Sequence, residues 1–188
     1  MTSAVSSVGL AQPAYAPALR WLHWLIAILI LAAICLGVTA IYLPHGDVRS
    51  ALLDTHKSIG ITVLGLVLLR ILFRVATGTP DYRPPLNAFN RYSAGAVHLG
   101  LYALMLAIPV SGYVHSSAGG HAFSWFGLYA VPQYVPADKT IDEAAGQAHY
   151  VFALAIVALL ILHVLATAWH VWVMKDGVFQ RIWKPSRR

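Results

Sequence analysis

The sequence predicts an all-α integral membrane protein, a four-helix bundle, from three observations. Four segments each hold about 20 mostly apolar residues, the length that crosses a hydrocarbon core. Only 11% of the 188 residues are charged, against about a quarter in soluble domains, and the mean hydropathy is +0.66. Histidines recur inside the apolar segments at helical spacing, where an ionisable side chain is costly and marks a pathway or a bound group.

The spans are read at 21–42, 55–73, 94–114 and 146–174, the last long enough to tilt or project. None alternates as a barrel strand does, so helices are the spanning form. Trp21, Trp24 and Tyr42 bracket the first span, and Trp169 and Trp172 close the fourth, as interfacial aromatics do. One transmembrane domain is expected over 19–176. It lies between a loose tail at 1–18, read as retained because it lacks a basic leader region, and a basic tail at 177–188.

Charge orients the spans. One side collects ten basic residues (Arg20, Arg70, Arg74, Arg83, Arg91, Lys175, Arg181, Lys184, Arg187, Arg188) against Asp81 and Asp176. The other holds Arg49, Lys57 and Lys139 against Asp47, Asp54, Asp138, Asp142 and Glu143. The positive-inside rule puts the first side, and both termini, in the cytoplasm of a bacterial inner membrane. Membrane lipid is then the expected partner of the basic tail, and no nucleic acid is. The connector at 77–85, with Pro80, Pro84 and Pro85, reads as extended. The aromatic connector at 115–145 is expected to lie on the outer surface as a lid. Cys35 falls inside the first span and reads as a small core hydrophobe.

His23 and His98 lie near the cytoplasmic starts of the first and third spans, and His56 and His149 open the second and fourth at the outer face. His163 follows His149 by fourteen residues, which is within about 40° of four full turns and a rise of about 21 Å. The two imidazoles therefore leave one face of a helix at two depths, the placement two stacked porphyrins need. Paired imidazoles make a six-coordinate, electron-transferring haem iron, and no thiolate or carboxylate set favours zinc or copper instead. With His23 and His56, these residues predict two b-type haems, because a lone cysteine cannot make the two links of c-type attachment. The same step of fourteen leads from His23 to Gly37, from His98 to Gly112 and from His56 to Arg70. Gly37 and Gly112, with Gly60 one turn from His56, are expected to let a flat ring approach the backbone or else to serve helix packing. Arg70 is expected to meet a propionate. His170, seven residues after His163, is the rival ligand for the inner haem, while His45, His115 and His121 read as solvated connector histidines.

RWLHWL at 20–25, THKSIGITVLGLVLLRILFR at 55–74, HLGLYALMLAIPVSGY at 98–113 and AHYVFALAIVALLILHVLATAWH at 148–170 resemble the bacterial cytochrome b561 family. That family is related to the di-haem cytochrome b subunits of formate dehydrogenases and nickel hydrogenases. The resemblance implies that His23 and His163 ligate the cytoplasmic-side haem and that His56 and His149 ligate the outer one. It also implies that His98 and His170 lie near the inner haem, where a quinone binds. The small stand-alone members it most resembles oxidise superoxide at the periplasmic face and reduce ubiquinone; other relatives are subunits that take electrons from a redox partner protein. Superoxide is an anion and the outer segments are net acidic, which leaves Lys57 and Arg49 as the local basic residues to receive it.

Overall fold

The computed structural model describes residues 13–82 and 87–183. Most of the expected N-terminal tail, Pro84 and Pro85 of the proline connector, and the basic residues Arg83, Lys184, Arg187 and Arg188 lie outside the described residues.

Four long helices follow in order: α1 Pro17–Tyr42, α2 Asp47–Thr77, α3 Ala88–Ala118 and α4 Lys139–Trp169. All four are long and apolar enough to cross a membrane. Each starts earlier than its apolar run, and the starts of α3 and α4 carry side-chain caps. Asn87 accepts from the Asn90 amide at 2.8 Å, and Asp138 from the Ile141 amide at 3.0 Å. A helix of 31 residues is about 46 Å long against a hydrocarbon core of about 30 Å, so α2, α3 and α4 project beyond the bilayer.

Sequential helices pack side by side, α1 on α2, α2 on α3 and α3 on α4. The buried apolar core joins α1 to α2 through Ile26, Ile30, Ile59, Val63 and Val67. Many other large apolar residues, such as Ile28, Leu72, Leu99 and Val164, are exposed, as a lipid-facing surface requires. Cys35 is exposed as well, and so belongs to the lipid face rather than the core.

The two ends of the bundle differ. The connector end carries a short hairpin, β1 Ser124–Trp125 paired antiparallel with β2 Tyr129–Ala130. The terminal end is closed by the last described residues. There α4 loosens into a π-helical turn, His170–Met174, and a 3₁₀ turn follows at Phe179–Arg181. Arg181 does not face lipid headgroups as a basic-tail residue would; it is 1% exposed. Its guanidinium lies 3.8 Å from the Tyr82 ring centroid, donates to Pro13 O at 3.2 Å and also donates to Pro80 O. Residues 13–18 are correspondingly fixed, with Tyr15 N donating to Arg181 O at 3.1 Å. Arginine wins this position because its planar fork satisfies carbonyls from two segments at once while its face covers an aromatic ring.

Candidate functional site

The interior histidines meet across the bundle at two levels. At the connector end, the rings of His56 on α2 and His149 on α4 lie 6.0 Å apart between centroids, at 79°. At the terminal end, His23 on α1 and His163 on α4 lie 6.3 Å apart at 66°. Two metal–nitrogen bonds of about 2 Å and the two half-rings behind them span about 6 Å, so each pair has the separation that an iron between two imidazoles needs. His98 on α3 adds a third ring to the terminal pair, 5.3 Å from His163. Among the described residues, no group of three or more His, Cys, Asp or Glu side chains forms a conventional metal cluster.

The connector-end pair is built twice to one plan. His56 Nδ1 donates to Ala33 O at 2.8 Å, and His149 Nδ1 donates to Ile108 O at 2.9 Å. A carbonyl can only accept, so Nδ1 carries the proton in both rings and Nε2 keeps its lone pair for a metal. One turn beyond each carbonyl stands a glycine with the ring against it. A Cβ at Gly37 would lie 3.2 Å from the His56 ring, and one at Gly112 would lie 2.9 Å from His149 Nδ1. The ring that uses the clearance at each glycine is the histidine's own. Gly60 is open, with Pro109 Cβ 4.0 Å from where its Cβ would be.

At the terminal end, Arg70 is 8% exposed. It donates through Nε to Tyr102 Oη at 3.0 Å and through a terminal nitrogen to Leu19 O, one turn before His23. Among the described residues it has no carboxylate partner. A buried guanidinium with neutral partners only is costly, and it fits a site completed by an anionic group. Arg74 lies over the Tyr102 ring, 5.7 Å from its centroid. His98 Nδ1 donates to Ala94 O on its own helix at 2.6 Å. His170 is held otherwise, its Nδ1 2.5 Å from an Asp176 carboxylate oxygen. Sequence spacing did not single out Asp176 or Tyr102, since neither lies in step with the histidines.

Lys57 and Arg49 are held by different partners. Lys57 Nζ is 3.5 Å from Asp54 Oδ1 and 5.2 Å from the Phe123 ring centroid. Arg49 bonds the His45 ring at 2.7 Å and Ala40 O at 3.1 Å, which ties it to the end of α1. His115 is corrected from a solvated loop residue to the last turn of α3, with Nδ1 2.6 Å from Asp142 Oδ1. An apolar groove on the α1–α2 face, lined by Trp21, Trp24, Leu25, Ile28, Leu69 and Phe73, opens toward lipid rather than between the histidine pairs.

Four spanning helices with facing histidines at two depths define a membrane cytochrome b, a class that carries electrons within the bilayer. The family model for prokaryotic cytochrome b561 matches residues 14–185. Cytochrome b561 homolog 2 of Escherichia coli is 33% identical over 85% of this chain and 86% of its own length. Cytochrome b561 homolog 1 of the same organism is 25% identical over 89% and 95%, and a probable superoxide oxidase of Yersinia pestis is 26% identical over 89% and 93%. The chain belongs to the prokaryotic cytochrome b561 family, and is therefore a haem b-binding electron-transfer protein, multi-pass in the bacterial inner membrane.

Proposed function

We propose that the chain oxidises superoxide at its connector end and reduces ubiquinone at its terminal end, using two haem b groups, with both termini in the cytoplasm. Two superoxide anions leave as two O₂, and ubiquinone gains two electrons and two protons to become the quinol. Bound haem supplies one-electron redox chemistry; the protein supplies position, protons and exclusion of competing reactions. The observation that carries the reading is the pair of facing imidazole couples, 6.0 and 6.3 Å between centroids, on opposite halves of one bundle.

His56 and His149 would hold the haem at the connector end, and His23 and His163 the one at the terminal end. Arg70 would neutralise a propionate at the latter. His98 and His170 would flank the quinone headgroup. The Asp176 carboxylate beside His170 Nδ1 supports this, because quinone reduction consumes protons and a carboxylate-oriented imidazole delivers them. Superoxide as donor is supported by the Yersinia pestis relative's name. A second reading, in which a redox partner protein is the donor, is favoured by the pairing of Lys57 with Asp54, which offsets the positive charge nearest His56.

The purified chain is expected to give two haems per chain in a pyridine haemochrome assay and a bis-histidine, low-spin spectrum. Rapid mixing with superoxide should then reduce haem, and added ubiquinone should reoxidise it. One haem per chain would overturn the two-site reading, and haem that superoxide leaves oxidised would leave the partner-protein reading.

A further inference from the structure

The connector between α3 and α4 descends along α2 rather than lying over its end. Lys57 Nζ donates to His121 O at 3.4 Å, Phe126 N donates to Ser58 Oγ at 3.0 Å, and Trp125 Nε1 donates to Thr62 Oγ1 at 3.0 Å. The depth of these contacts follows from α1. Gly37 faces the His56 ring and lies five residues before α1 ends at Tyr42, a rise of about 8 Å. Ser58 and Thr62 continue inward from His56, so the hairpin meets α2 roughly 10–17 Å below the end of α1. With 26 residues α1 is about 39 Å long, so when centred on a hydrocarbon core of about 30 Å it ends about 4–5 Å outside that core, and the hairpin's contacts on α2 fall inside it.

The hairpin has the chemistry this depth demands. No charged residue occurs from Ala122 to Ala137. Non-helical backbone survives in a bilayer only where its polar groups are satisfied by protein. Here Leu128 N donates to Trp125 O at 2.9 Å, Gly127 N to Ser124 O at 3.3 Å and Val131 N to Phe123 O at 3.1 Å, while Phe126 N is taken by Ser58. Phe126 accepts a left-handed φ of 47°, unfavourable for a bulky residue, and Gly127 follows at 73°. The reversal leaves Phe126, Leu128 and Tyr129 exposed at 48%, 80% and 62%.

We propose that this hairpin is a re-entrant element whose tip enters the connector-side leaflet, with lipid acyl chains covering Phe126, Leu128 and Tyr129. The tip continues the lipid-facing surface of the helices. The Ser58 hydroxyl accepts from the Phe126 amide and the Thr62 hydroxyl from the Trp125 indole, which lets these polar groups sit there, and by crossing from α3 to α2 near His56 the hairpin walls that side of the histidine pair. The proposal does not depend on the electron donor.

The test is nitroxide labelling of the haem-loaded chain in phosphatidylethanolamine–phosphatidylglycerol nanodiscs, in a Cys35→Ser background. Labels are placed by Leu128→Cys and, independently, Tyr129→Cys, with Ile28→Cys as the in-span reference and Lys139→Cys as the aqueous one. Collisions with oxygen and with a water-soluble nickel chelate are compared. The labels at 128 and 129 should match the one at 28, with an oxygen-to-chelate ratio about fivefold or more above that at 139, because oxygen partitions into hydrocarbon and the chelate does not. Ser58→Ala should lower the ratio at 128 by orphaning the Phe126 amide. Labels at 128 and 129 that behave like the one at 139 would overturn the proposal and make the tip a water-facing surface for a protein partner.

Discussion

Each connector-end histidine works as part of a triplet of histidine, carbonyl and glycine. His56 with Ala33 and Gly37, and His149 with Ile108 and Gly112, share one geometry: the ring lies against a glycine to reach the carbonyl one turn before it. The two sites differ in tightness, which makes a graded prediction. A methyl at Gly112 would stand 2.9 Å from the ring and one at Gly37 3.2 Å. Overpacking of this kind costs about 1–3 kcal/mol. Gly112→Ala is expected to fall to about one haem per chain by pyridine haemochrome, since a displaced His149 loses its carbonyl and its aim. Gly37→Ala should keep both haems with a shifted midpoint potential for one of them. Gly112→Ala with two haems and an unaltered redox titration would refute the triplet. The step of fourteen marks both glycines for the approach of a flat ring or for helix packing; only packed coordinates place the imidazole there, because helical arithmetic says nothing about the neighbouring helix.

At the scale of the element, α4 carries a paired histidine at each level and then changes its winding. His149 and His163 share a face across about 21 Å, while His170 begins the π-helical turn. The π turn and the left-handed Lys175, φ 50°, bring Asp176 back to His170. Such turns recur at functional sites because the extra residue re-aims a side chain. His163→Ala should therefore lose the terminal-end haem, whereas His170→Ala should retain both and slow reoxidation by ubiquinone in stopped flow. Asp176→Asn should fall between wild type and His170→Ala, with haem content unchanged. Loss of a haem in His170→Ala but not in His163→Ala would reverse the assignment. The helix and its face were legible from apolar content and spacing, while the π turn was not, since no proline or glycine occurs between His149 and Gly177.

For the whole molecule, the distribution of charge decides how an anion would reach the connector end. Lys57 is partnered by Asp54, and Arg49 is turned to the end of α1. If superoxide is the donor, Lys57→Glu should slow haem reduction and Asp54→Asn should speed it by removing the offsetting charge, both with haem content intact. Both differences should shrink with salt, because the Debye length falls from about 10 Å at 0.1 M to about 3 Å at 1 M. Rates that ignore both substitutions and salt would exclude steering by this pair.

The number of spans, their order and the four facing histidines followed from the sequence alone. Hydrocarbon thickness dictates the length of an apolar run, and helical pitch dictates which residues share a face. Three further features needed the tertiary structure: the continuation of α3 past His115 to Ala118, the burial of Arg181 beneath Tyr82, and the descent of the aromatic connector along α2. Each rests on a polar side chain finding a partner far along the chain. Apolar periodicity is blind to such partners, and the cost of leaving a buried hydrogen-bonding group unmatched decides among the conformations that length and spacing leave open.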